Sequence, residues 1–115
     1  MSTENCIFCK IVNGDVSAEK VYECDLVLGF LDANPQAPEH ILIIPKQHVA
    51  SLQELDVRDK EVLSAIIRAV QQIAKKRNIS DGYRLVTNIG VNAGQTVAHL
   101  HFHLLGGRKL NWPPG

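Results

Sequence analysis

The sequence predicts an α+β fold: a mainly antiparallel sheet of about five strands, one long helix and a short N-terminal helix. Three observations lead there. Short apolar or alternating runs recur between turn residues, as half-buried strands do. One long stretch, residues 57–77, instead repeats its apolar residues every three or four positions. The connections between the short runs are too brief to contain crossover helices, which leaves antiparallel pairing.

Taken in order, Cys6 to Val12 suits a short helix, and Asn13-Gly14 suits its left-handed end. Lys20 to Glu23 and Leu26 to Leu31 read as strands around a turn at Cys24-Asp25. Asp32 to Glu39 contains Pro35 and Pro38 and is a loop. His40 to Ile44, rich in isoleucine and stopped by Pro45, reads as a buried strand. Along Val57 to Arg77, the residues Val62, Ile66, Ala69, Val70, Ile73 and Ala74 share one helical face, with Arg58, Lys60, Glu61, Arg68, Lys75 and Lys76 mostly outside it. Asn78 and Asp81-Gly82 end that helix. Tyr83 to Asn88 is a strand, Asn88 to Gln95 a glycine-containing loop, and His99 to Leu105 the last strand, closed by Gly106-Gly107.

At 115 residues and 45% hydrophobic content, the chain suits one domain with a core that needs no disulfide staples. Twelve basic residues balance twelve acidic ones, which argues against a nucleic-acid or membrane-surface binder, since both would favour a basic excess. No run approaches the roughly 20 apolar residues of a membrane span. Met1 to Asn5 is polar and shows no signal peptide. Three cysteines, an odd number, favour a reducing compartment, so the expected location is the cytoplasm.

Five histidines occur, and three of them fall within five residues, at His99, His101 and His103. On a strand, alternate side chains share a face, about 6.5–7 Å apart, while Leu100, Phe102 and Leu104 point the other way. The apolar set can pack beneath the long helix, leaving an imidazole face toward a cleft. Three readings compete: polar residues on a solvated sheet face, a metal site with histidine ligands, or nucleophilic and acid–base chemistry near neutral pH.

The run His99-Leu100-His101-Phe102-His103-Leu104-Leu105 resembles the signature of the histidine-triad (HIT) superfamily. Phe30-Leu31-Asp32, Pro35-Gln36-Ala37-Pro38, Ile44-Pro45-Lys46, Gly94-Gln95-Thr96 and the ending Trp112-Pro113-Pro114-Gly115 resemble its Hint branch of nucleotide-binding proteins, bacterial type. The similarity spans nearly the whole chain and implies one HIT domain over residues 1–115.

The resemblance implies that His101 attacks the α-phosphorus of a nucleotide and forms a covalent nucleotidyl-histidine, which water then hydrolyses. It implies that His103 contacts the α-phosphate, that His99 supports the site from one end, and that Thr96 offers a hydroxyl near the phosphate or leaving group, where the family often has serine. Asp32 would accept from both ribose hydroxyls, with Ala33 touching the sugar or base. Asn88 would bond a phosphate oxygen or the ribose, and His40 matches a family histidine near the phosphate. Gly94, with amides from Gln95 to Val97, suits an anion cradle. Phe8, Ile11, Phe30 and Ile43 are candidates for an apolar purine slot. As bland alternatives, Asp32 can end a strand, His40 can be a surface histidine, Asn88 and Gly94 can be turn residues, and the apolar four can be core.

The implied activity is hydrolysis of purine nucleoside phosphoramidates or related conjugates to a nucleoside monophosphate, with no metal needed for the chemistry. The alternatives are a nucleotide-binding adaptor with incidental hydrolysis, a dinucleoside polyphosphate hydrolase and a metalloenzyme. Cys6-Ile7-Phe8-Cys9 is a Cys-x-x-Cys pair, either two reduced cysteines on a short helix or half of a tetrahedral zinc site, which His48 and His99 can complete in a way that resembles some bacterial HIT proteins. The family also implies a homodimer whose sheet continues across a two-fold axis through the long helix and the Gly82 to Asn88 region, with Trp112 either near the partner's site or in a tail packed on its own subunit.

Overall fold

In the computed structural model, residues 5–115 are described; the reading of a polar leaderless start at Met1 to Asn5 falls almost wholly outside them. The chain runs α1 (Ile7–Asn13), β1 (Lys20–Glu23), β2 (Val27–Leu31), β3 (Glu39–Pro45), α2 (Lys60–Lys76), β4 (Tyr83–Val86) and β5 (Phe102–Gly106). The five strands form one antiparallel sheet in the order β1-β2-β3-β5-β4. No helix among the described residues is long and apolar enough to cross a membrane.

Strand parity divides the interior in two. On one face, Val27, Ile41, Ile43, Leu100 and Leu104 pack against the apolar stripe of α2, including Val62, Ile66, Ala69, Val70 and Ile73. On the other, Leu28, Phe30, Leu42 and Ile44 pack against Phe8, Cys9 and Ile11 of α1, with Cys6 at its start. The helix α2 lies close to the sheet at Gly29, where a side-chain carbon would sit 2.9 Å from Ile73 Cδ1. Glycine there is a matter of space.

Several ends differ from the sequence expectation, each for a local reason. The long helix starts at Lys60 rather than Val57, because the Asp56 carboxylate accepts from the Arg58 backbone N–H (2.9 Å) and holds residues 56–59 as a turn. β4 stops at Val86 rather than Asn88, where Thr87 Oγ1 turns to donate to the His101 carbonyl (2.8 Å). β3 extends to Pro45, whose missing N–H costs nothing at a strand end. β5 begins at Phe102, so His99 and His101 precede the ladder. The Leu100 N–H goes instead to the Val49 carbonyl, tying this segment to the loop after β3.

Candidate active site

The alternation of the histidine segment persists although regular pairing starts late. Phe8 of α1 lies edge-on to both His99 (ring centroids 5.8 Å) and His101 (5.1 Å), and His103 lies 5.1 Å from His101. Leu100 and Leu104 belong to the core beneath α2. The imidazoles therefore face α1 and the apolar residues face α2. His99 and His101 are buried, and His103 is half-buried.

Each ring's second hydrogen bond fixes its protonation pattern, because a backbone carbonyl only accepts and a backbone N–H only donates. His101 Nδ1 donates to the His99 carbonyl (2.7 Å), which leaves the lone pair on Nε2. His99 Nε2 donates to the Pro45 carbonyl (2.9 Å), which leaves its lone pair on Nδ1. His40 Nδ1 accepts from the Gln36 N–H (3.0 Å), so its proton is on Nε2, from which it donates to His103 Nδ1 (2.9 Å). His103 in turn carries its proton on Nε2. One short segment thus presents a lone pair at His101 Nε2 and a hydrogen-bond donor at His103.

Both rings line a cavity of about 630 Å³, bounded also by Phe8, Ile11, Phe30, Leu42, Asp32, Ala33, Thr96 and Val97. That size suits a small organic ligand. The apolar wall carries a correction: Ile43 is buried on the α2 side, and Leu42 takes the place assigned to it. One step along a strand reverses the face. Ser17, Ala18 and Glu19, in the connection between α1 and β1, complete the rim. No sequence pattern marks them.

The remaining predicted residues lie around this cavity rather than in its wall. His40 is buried behind His103, with Asp32 Oδ2 3.4 Å from its Nε2. The Gln95 side chain is a fastener: its Nε2 donates to the carbonyls of Ala50 (2.7 Å) and Val97 (2.9 Å), and its Oε1 accepts from the Gly90 N–H (2.9 Å). Gly94 caps a short turn at φ 87°, and a side-chain carbon there would meet nothing within 4 Å. The backbone angle, not a close approach, is what calls for glycine. Asn88 is half-buried and outside the cavity lining. Thr87, just beyond β4 and unmarked in the sequence, braces the His101 backbone.

Behind the imidazole row, Cys6, Cys9, His48 and His99 bring four ligand atoms within 4.8 Å of one another. Cys6 Sγ lies 3.3 Å from His99 Nδ1, and Cys9 Sγ lies 3.2 Å from His48 Nδ1 and 3.6 Å from His99 Nδ1. Tetrahedral zinc with Zn–S near 2.3 Å and Zn–N near 2.05 Å gives S···N edges of about 3.5 Å. His99 offers its lone pair to this cluster, and its Nε2–H is already held by Pro45, the usual orientation of a metal-ligating imidazole. Burial and the adjacent Cys6 push the Cys9 thiol up to about 11, so a divalent cation is the natural partner for two thiolates side by side. The donor set fits zinc. His101 is outside this cluster, which gives no support to a triad whose three rings all act as ligands to one metal.

Burial lowers the pKa values of His40 and His103; His101 and His40 lower His103 further, and Asp32 partly opposes both shifts. The unfolded chain therefore binds more protons at these positions as pH falls below about 6.5, and they withdraw stability over that range. Their contribution is complete above it. Between about pH 7 and pH 5, the loss in urea midpoint should be smaller for His40→Gln than for the unaltered protein. An equal loss in both would remove His40 from the account.

Comparison with known proteins gives consistent results. The HIT domain family model matches residues 13–110. An uncharacterized HIT-like protein of Synechococcus elongatus is 50% identical over 98% of this chain and 99% of its own length. A 14 kDa zinc-binding protein of Zea mays is 46% identical over 95% of this chain and 87% of its own. The crystal structure of a HIT family hydrolase from Legionella pneumophila superposes with a TM-score of 0.93 at 46% identity, covering 96% of this chain and all of that one.

Proposed function

The chain belongs to the HIT domain family, and from that premise we propose that it hydrolyses purine nucleoside phosphoramidates or related nucleotidyl conjugates. The observation that carries this reading is the His101 ring, whose Nδ1–H is committed to the His99 carbonyl while the ring lines a cavity shared with Asp32 and an apolar slot. The similar Legionella protein is described as a HIT family hydrolase.

In the proposed reaction the purine lies among Phe8, Ile11, Phe30 and Leu42, and Asp32 accepts from the ribose hydroxyls. His101 Nε2 attacks the α-phosphorus as the bond from phosphorus to the leaving nitrogen breaks. The departing amine takes a proton from solvent beside the Thr96 hydroxyl, and the water that later attacks phosphorus gives one back to solvent. The His103 Nε2–H donates to an α-phosphate oxygen as negative charge builds there. Water then attacks phosphorus, frees the nucleoside monophosphate and returns His101 to its starting state. The steps need no metal. Zinc held by Cys6, Cys9, His48 and His99 would be structural, cross-linking α1 to the histidine segment.

The protein is proposed to act as a homodimer in the cytoplasm. β4 forms one edge of the sheet, and Tyr83 on it and Ile67 on α2 are exposed, which suits pairing with a second copy. Mass spectrometry of protein quenched during turnover of adenosine phosphoramidate tests the chemistry. The expected result is an adduct of AMP mass on His101; an adduct on another residue, or rapid turnover with none under any quench, would overturn the mechanism.

A further inference from the structure

The Asp32 carboxylate faces two ways. Its Oδ1 accepts from the Asn34 N–H at 2.8 Å, which orients the group, and its Oδ2 lies 3.4 Å from His40 Nε2. The same His40 nitrogen is 2.9 Å from His103 Nδ1. Both the His40 ring and the carboxylate are largely shielded from solvent, with side-chain exposures of 4% and 19%. We propose that Asp32 is a positioning residue for the phosphate end of the site, acting through His40 on His103, in addition to binding ribose. The proposal rests on the hydrolase reading above and deepens it.

The argument is one of tautomers. On the far side of the His40 ring, the Gln36 N–H requires an acceptor at Nδ1. On the near side, a carboxylate beside Nε2 favours a proton there and repels a lone pair. The two constraints agree. His40 is left with Nε2–H aimed at His103 Nδ1, and His103 must then present its own proton from Nε2, the atom able to reach a phosphate oxygen in the cavity.

The same two constraints oppose a metal at the Asp32, His40 and His103 cluster. A cation at His40 Nε2 would need the proton moved to Nδ1, against the Gln36 donor. The charged and titratable groups facing the pair are Asp32, from the end of β2, and His101, from the segment before β5. The neighbouring Glu39 is occupied by Arg77 of the turn after α2. Asp32 is thus the anion placed to set the pair's behaviour, and ribose recognition and phosphate recognition share one carboxylate.

The test separates the two roles with a substrate that has no ribose hydroxyls to lose. Asp32→Asn and Asp32→Glu, in the zinc-loaded protein, are assayed on adenosine phosphoramidate and on its 2′,3′-dideoxy analogue across pH, and the His40 and His103 rings are titrated by NMR. The expected result is that Asp32→Asn loses about tenfold or more in kcat on the dideoxy substrate as well. Its acid limb and both ring titrations should move to lower pH, and Asp32→Glu should restore part of each. Equal kcat and an unmoved acid limb on the dideoxy substrate, with unchanged ring titrations, would confine Asp32 to ribose binding and overturn the proposal. If the unaltered protein turns over neither substrate, the hydrolase reading fails, and the ring titrations still decide whether Asp32 governs the pair.

Discussion

His101→Ala is expected to reduce single-turnover cleavage of adenosine phosphoramidate by about 10^4-fold or more, the scale seen when a nucleophile that works as a unit with its neighbours is removed. No neighbouring ring can substitute. His103 Nδ1 is taken by His40, and the lone pair of His99 points into the cysteine cluster. Binding should behave differently. Asp32, Phe30 and Leu42 are untouched by the change, so the affinity for AMP should stay within about fivefold, the ligand losing one contact among many. Rapid-quench kinetics and calorimetry on the same preparation check both halves. A variant that kept a tenth of its rate would remove His101 from the nucleophile's role.

Cys9→Ser should act on stability first and on rate second. A serine hydroxyl in place of a thiolate leaves three good ligands, and the loss of zinc affinity should exceed the roughly 100-fold that attends removal of a mere supporting group. A site that was saturated at 100 times its dissociation constant contributes about 2.7 kcal/mol to the folded state. Losing that contribution lowers Tm by roughly 10 °C in a chain of this size. The rate should fall too, because the His99 ring turns Nδ1 to the cysteine cluster while its carbonyl holds His101 Nδ1. Inductively coupled plasma analysis, melting curves and kcat measured together test the chain of effects. A variant with stoichiometric zinc and an unchanged Tm would show that Cys9 is not a ligand.

Much of this arrangement is legible in the sequence because two periodicities carry it. The three- and four-residue spacing from Val62 to Ala74 places α2 on the sheet, and the two-residue spacing from His99 to Leu104 sorts imidazoles from leucines. Element ends were less legible. They are settled by single side-chain bonds, such as Asp56 to the Arg58 N–H or Thr87 to the His101 carbonyl, for which residue type gives only weak notice. Ile43 was misplaced because a run of four apolar residues, Ile41 to Ile44, shows no alternation from which to read its face. Ser17 to Glu19 reach the cavity through the path of a connection, and no composition rule encodes a path. The role of Gln95 lay in what it fastens, Ala50, which is distant in the sequence.

The division of β5 and its approach has a consequence for how this protein can change. Leu100 and Leu104 answer to the helix on one side, while His101 and His103 answer to whatever enters the cavity on the other. Neighbouring codons therefore write durability and cavity shape separately. A lineage can remodel the slot around Leu42 and Phe30 for a different ligand while the packing under Ile66 and Ile73 keeps its shape, and the histidines keep their aim throughout.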